Sequence, residues 1–275
     1  MKPLNTYIKE SYTLSSTHDN DMFIVEGIDI NTENKTVSLT DIHSHGVDFS
    51  LLNNPVYDKI DDVDVISIFK RTKLYDTENR QRDGNPFIYS LKNKNGWKFN
   101  ISDNNIRKYL RRFIDVCSKL DKKYDTVIIV PSSSSLNERF MKSIARILNV
   151  PNNIENYFVK LNADEVFDSL VDDMNILREE LGDNFNEAWE KIKQGFRKMK
   201  TKYFEAKYIP KEYLKYIKYI DDNGENVSDM INNKNVLLLD DIVSSGNTVS
   251  SCLNNIKTTF KPKSITVLTL LSKIK

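Results

Sequence analysis

The sequence predicts an α/β fold with a mainly parallel sheet and flanking helices, joined to a smaller β-leaning hood at the N-terminal side. Three observations predict it. The runs Thr126–Val130, Val236–Leu239 and Ile265–Leu271 are continuously apolar or β-branched, as strands buried on both faces are. A small polar loop and then apolar residues at helical spacing follow each of the first two. The repeated order of strand, loop, helix and strand is that of parallel pairing through crossovers.

Residues 1–100 read as the hood or extension. Phe23-Ile24-Val25, Ile28-Asp29-Ile30 and Val37-Ser38-Leu39 are short runs around a turn at Asn31–Lys35, which predicts a hairpin. Val63, Val65, Ile66 and Ile68 predict another strand. A basic loop (Lys70–Arg82), the turn Asp83-Gly84-Asn85-Pro86, the run Phe87-Ile88-Tyr89 and a Lys/Asn loop to Trp97 complete this part. Residues 101–275 read as the main α/β domain. Ile106, Tyr109, Leu110, Phe113, Cys117 and Leu120 predict an amphipathic helix. Ser135-Leu136-Asn137-Glu138 has capping-box spacing before the stripe Phe140, Ile144, Ile147 and Leu148.

A long helical insertion is expected at about 151–220. Val166, Phe167, Leu170, Val171, Met174 and Leu177 give one stripe; Phe185, Ala188, Trp189, Ile192, Phe196 and Met199 give a second. Charge is segregated along it: ten acids and two bases over 155–187, then ten bases and three acids over 190–218. Two solvated helix faces that pair with each other account for this. So does a basic lid over an anionic ligand.

Composition narrows the function classes. Forty basic against thirty-nine acidic residues leave a net charge of +1, without the basic excess of a dedicated nucleic-acid binder. The start, MKPLNTYIKE, lacks the apolar core of a secretory leader, and no apolar run has the length of a membrane span. Cys117 and Cys252 fall on apolar helix stripes, as buried thiols do, and make no disulfide framework. A cytoplasmic protein is expected. His43 and His45 lack a fitting third ligand and read as a polar loop. Lys70–Lys73 with Arg80 and Arg82 reads as a solvated loop, and Trp97 and Trp189 as packing residues.

The stretch Val236–Thr248 carries the chemistry. Four apolar residues end in two adjacent carboxylates, Asp240 and Asp241, where open parallel sheets bind ligands. The loop after them, Ser244-Ser245-Gly246-Asn247-Thr248, is small and rich in hydroxyls and opens a helix. Its amides, hydroxyls and the positive helix end form a phosphate cradle. Hydroxyl-binding acids beside a phosphate loop match a ribose 5-phosphate. A chance acidic turn capped by Ser and Thr is the bland reading.

These residues resemble the phosphoribosyl-pyrophosphate (PRPP) motif of type I phosphoribosyltransferases. A second match lies at Asp125–Phe140: the run ending Val130-Pro131-Ser132-Ser133-Ser134-Ser135, and Arg139-Phe140 on the helix behind it, look most like the competence-protein F (ComF-like) branch. The resemblance covers about 100–275, with a weaker echo at Pro86–Trp97. It implies that Asp240 and Asp241 face the ribose hydroxyls, directly or through Mg²⁺ and water. Residues Ser244, Ser245, Gly246, Asn247 and Thr248 would wrap the 5-phosphate. Pyrophosphate would lie on Ser132, Ser133, Ser134 and Ser135, with Arg139 as counter-ion. Lys198, Lys200 and Lys202 match the place of the family's flexible catalytic loop. Ser244 stands where the 6-oxopurine branch has a third carboxylate, which points away from that branch.

The implied activity is Mg²⁺-dependent transfer of ribose 5-phosphate from PRPP to a nitrogen nucleophile, releasing pyrophosphate. The implied partners are PRPP and a base or amine, with the homodimer common in the family. A non-catalytic PRPP or nucleotide sensor, and an effector acting on nucleotide glycosidic bonds, are the alternatives.

Overall fold

The computed structural model describes residues 25–72, 86–100, 103–132, 134–243 and 246–273. The expected Phe23-Ile24, the loop residues Arg80 and Arg82, the turn Asp83–Asn85 and the site residues Ser133, Ser244 and Ser245 lie outside them. The first elements in chain order are β1 (Gly27–Asn31), β2 (Thr36–Thr40), β3 (Val47–Asp48), β4 (Val56–Ile60) and β5 (Val63–Arg71). Then come α1 (Pro86–Leu91), β6 (Lys98–Phe99), α2 (Asp103–Cys117), β7 (Thr126–Ile129), α3 (Leu136–Ile147), β8 (Asn152–Ile154) and β9 (Phe158–Lys160). Helices α4 (Ala163–Asp172), α5 (Met174–Leu181) and α6 (Phe185–Lys198) precede β10 (Ile220–Asp222) and α7 (Ser228–Ile231). The chain closes with β11 (Asn235–Ile242), α8 (Asn247–Thr259) and β12 (Ser264–Leu271).

The fold is α/β. Its main sheet is mixed, in the order β3-β5-β12-β11-β7-β8, with β4 also on β5. Strands β5, β12, β11, β7 and β8 run parallel. The short β3 and the β4 hairpin arm are antiparallel to β5 on its other edge.

Alternation along the central strand explains its continuous hydrophobicity. Val236 and Leu238 join one core with Val249, Cys252, Leu253 and Ile256 of α8. Leu237 and Leu239 join a second core with Phe140, Met141 and Ile144 of α3. All four strand residues are fully buried, each contributing about 1.5–3 kcal/mol. Both cysteines are buried, as the stripes predicted, and burial pushes both thiols up.

Three sequence expectations are corrected. Residues 63–71 belong to the main sheet, pairing with β12, so the sheet crosses the expected division at residue 100. Alternate residues of β5 feed both cores, Val65 one and Ile66 the other, which is how a buried parallel strand behaves. Phe87-Ile88-Tyr89, read in the style of the surrounding strands, is instead the helix α1. Pro86 takes its first position, where a missing N–H costs nothing, and Phe87 and Ile88 are buried. The insertion is helical only in part: β8 extends the main sheet, and β9 pairs with β10 in a separate ribbon.

The hairpin β1–β2 forms as predicted and takes β6 as a parallel neighbour. Its buried Ile28, Val37 and Leu39 join the same core as α3, and Trp97 is buried with them. The helical part of the insertion covers the α8 face through Val166, Leu170, Leu177, Phe185 and Ile192. Trp189 stacks on Phe167 and Phe185. Four of the ten bases of 190–218 form local ion pairs: Lys191 with Glu187, Lys193 with Glu190, Lys207 with Glu205, and Lys218 with Asp221. Among the described residues no helix is long and apolar enough to cross a membrane.

Candidate functional site

Strand order places the site. From β7 the chain crosses to β8 on one side; from β11 it crosses to β12 on the other. Right-handed crossovers in opposite directions put α3 and α8 on opposite faces of the sheet, which is how the two cores divide them. The loops after β7 and β11 therefore part at the carboxyl ends of adjacent strands. That is a topological switch point, the crevice where open α/β sheets bind ligands.

Asp240 and Asp241 lie in this crevice, as the last polar residues of β11. Asp241 is 4% exposed; Asp240 is partly buried. The wall toward β7 is hydrogen-bonded to them. Val130 N–H donates to the Leu239 carbonyl at 2.8 Å. The buried Asn137 donates its amide both to the Val130 carbonyl, at 3.1 Å, and to Asp240 Oδ1, at 3.2 Å. The Asp241 N–H also donates to Asp240 Oδ1, at 2.8 Å. Burial pushes the Asp240 carboxyl up to about 7, with the Asp241 charge adding to the rise. The Asp241 N–H, the Asn137 amide and the Lys92 charge oppose it in part.

On the α8 side, Gly246 has φ 81° and ψ −5° and leads directly into the helix. That left-handed conformation selects glycine. Asn247 and Thr248 fill the first turn and are partly buried. Tyr219, 5% exposed, covers this turn. Its hydroxyl is buried without a well-formed hydrogen bond, and the Thr248 side chain faces it.

The expected pyrophosphate loop is less regular. Ser132 and Ser134 are partly buried and Ser135 is exposed. The capping box is not formed: Ser135 has near-helical φ −72° and ψ 8°, and its side chain makes no capping bond. Arg139 is exposed; its Nε donates to the Ser135 carbonyl of this loop at 3.4 Å and its guanidinium also donates to the Leu91 carbonyl at 3.0 Å.

Sequence reasoning missed Lys92. It follows α1, and its ammonium sits on Asp241 Oδ2 with only 15% of the side chain exposed. Nothing in the local sequence marks it. Asn137 was legible in principle, because a polar side chain on the Phe140–Ile144 stripe must satisfy a buried partner.

Lys198, Lys200 and Lys202 are not brought to this crevice. They are exposed at the end of α6 and in the turn after it, which the Ala163 N–H to Lys202 carbonyl bond ties to α4. None of the three has a hydrogen bond or ion pair to the acids among the described residues. A cleft of about 350 Å³ near them is lined by Phe167, Phe196, Met199 and Thr201.

The acids were expected to carry Mg²⁺. Among the described residues no three His, Cys, Asp or Glu side chains gather as a metal site. Asp241 Oδ2 is held by Lys92, and Asp240 Oδ1 accepts two N–H groups. Lys92 stands against Asp241 Oδ2, so a divalent cation on that oxygen would have to displace the ammonium. His43 pairs with Asp29 at 3.0 Å and stacks on His45.

Comparison with protein-family models, curated proteins and solved structures finds no match to this chain.

Proposed function

We propose that the crevice between β7 and β11 binds a phosphoribosyl ligand, PRPP, and that the protein transfers its ribose 5-phosphate to a nitrogen nucleophile. The observation that carries this reading is the acid pair at the switch point, Asp241 buried and Asp240 partly so, flanked by two loops that each open a helix. Ligand chemistry with two adjacent hydroxyls and phosphates on either side matches that order. The Asp240 and Asp241 carboxylates accept from the ribose hydroxyls. The amides at Gly246, Asn247 and Thr248, at the positive end of a helix, take the 5-phosphate. The loop at Ser132, Ser134 and Ser135 takes pyrophosphate.

In the reaction, nitrogen attacks C1 as the C1–O bond breaks. The bonding pair leaves with pyrophosphate, and the nucleophile gives up its proton. C1 becomes cationic on the way, so the protein contributes position and charge more than covalent chemistry. Lys198, Lys200 and Lys202 remain in the proposal as groups that would have to move to reach pyrophosphate.

Titration calorimetry tests the reading. PRPP should bind the wild type, and Asp240→Asn with Asp241→Asn should abolish binding while the far-ultraviolet spectrum stays the same. Equal affinity in the double variant would overturn the assignment. Pyrophosphate release across a panel of bases and amines then separates the enzyme from a PRPP sensor, which binds without turnover.

A further inference from the structure

We propose that Lys92 is the resident cation of the acid pair, doing for the ribose hydroxyls what a directly coordinated divalent metal would do. The inference rests on the phosphoribosyl reading of the crevice. It assigns that site one more ligand-touching residue and a metal requirement opposite to the one the sequence suggested.

The position of Lys92 is built. Helix α1 is anchored by Phe87, fully buried against Phe49, Phe99 and Tyr109, and by Ile88. The Lys92 N–H closes the last turn on the Ile88 carbonyl at 3.0 Å. Arg139 donates to the Leu91 carbonyl, tying this end of the helix to α3, the helix that also supplies Asn137. The lysine backbone is thus fixed from both the hood and the main domain, beside the wall of the crevice.

The side chain then does what lysines rarely do. A lysine at the end of a short helix has a stem long enough to carry its charge to water. Lys92 takes its ammonium inward, onto a carboxylate that is itself buried. A buried ion pair is a poor source of stability, since desolvation offsets the attraction. Helix α1 is already docked by its apolar residues.

Location decides between docking and function. The pair lies at the ligand end of the sheet, next to Asp240, whose Oδ1 is already committed to the Asn137 and Asp241 N–H groups. An ammonium has three donors. Toward Asp241 the ammonium makes an ion pair and no formed hydrogen bond, so its donors are available to a ribose hydroxyl oxygen while Asp240 accepts from the neighbouring hydroxyl. Two carboxylates and one ammonium then form a donor–acceptor set for a vicinal diol. A divalent ion would be confined to phosphate oxygens, where it prefers to bind with few carboxylates.

The test uses ribose 5-phosphate, which has the diol and the 5-phosphate but no pyrophosphate to recruit a metal. Its affinity is measured by calorimetry on the full chain, in chelator and in Mg²⁺. Wild-type affinity should be the same in both. Lys92→Met should lose about tenfold to a hundredfold in chelator, the worth of one charge-assisted hydrogen bond, and should recover part of it in Mg²⁺. Lys92→Arg should keep metal-free binding. A wild type that binds only with Mg²⁺ overturns this inference and leaves the phosphoribosyl reading standing. Lys92→Met binding as tightly as wild type in chelator also overturns it. A wild type that binds ribose 5-phosphate under neither condition overturns both. The decisive comparison is made on unaltered protein, so it does not depend on any variant folding.

Discussion

Replacing Asp240 with Asn should make the protein more stable at alkaline pH, even as it damages the site. Folded, the Asp240 carboxyl is pushed from its ordinary 3.8 up to about 7, by burial first and by the Asp241 charge second. Between those values the folded protein keeps a proton that the unfolded chain has released. Stability therefore falls as pH rises through this window and levels off above it. The displacement corresponds to about 4 kcal/mol of strain at pH 8, and more than half of it is gone by about pH 5. Asparagine has the same shape, stays neutral, and can still accept from Asn137 and from the Asp241 N–H through Oδ1. Urea unfolding of both proteins at the two pH values measures the effect. A gain of a few kcal/mol at the higher pH that shrinks at the lower is expected. A variant that is less stable at both, or whose gain does not change with pH, refutes the argument that this acid is held against its own solvation.

Gly246→Ala should lower stability by about 1–2 kcal/mol in thermal unfolding, the cost of a left-handed L-residue. The added Cβ would stand 3.4 Å from Ile60 Cδ1, in contact without a clash, so the loss is one of backbone. Asn137→Ala frees the Val130 carbonyl and one Asp240 bond together; a loss of about 1–3 kcal/mol and weaker PRPP binding are expected in the same two assays. Changing Lys198, Lys200 and Lys202 together to Ala should leave stability within about 0.5 kcal/mol, since all three are exposed. If they close over pyrophosphate, turnover should nonetheless drop by an order of magnitude or more; unchanged turnover returns them to being a solvated helix end.

The parts of this fold that sequence revealed are those determined locally. Val236–Leu239 and Thr126–Val130 announce buried strands because both of their faces need apolar side chains, and Asp240-Asp241 stand out by interrupting one. Phe87-Ile88-Tyr89 is too short for its period to distinguish helix from strand, and only docking against Phe49 and Tyr109 settles it. That β5 lies beside β12 depends on pairing across about two hundred residues, which no window of sequence contains. Lys92 is the extreme case, since its partner is reached only after the hood has folded onto the sheet. The capping spacing at Ser135–Glu138 placed the start of α3 correctly, with Ser135 at its N-cap, but not the capping bonds, because Ser135 has near-helical dihedrals and its side chain makes no bond to the amides of the first turn.

The seam between β5 and β12 governs how the protein can be cut. A fragment beginning at residue 101 would contain both loops that flank the acids and look complete by motif. It would also bare one side of β12, where Thr266 through Leu271 now pair with β5. The uncovered row of peptide groups would run along Val267, Leu268 and Leu271, all fully buried in the intact chain. An apolar edge of that kind is a template for joining other chains. The excised motif-bearing half would self-associate through it, and the soluble unit for any ligand experiment has to include β5.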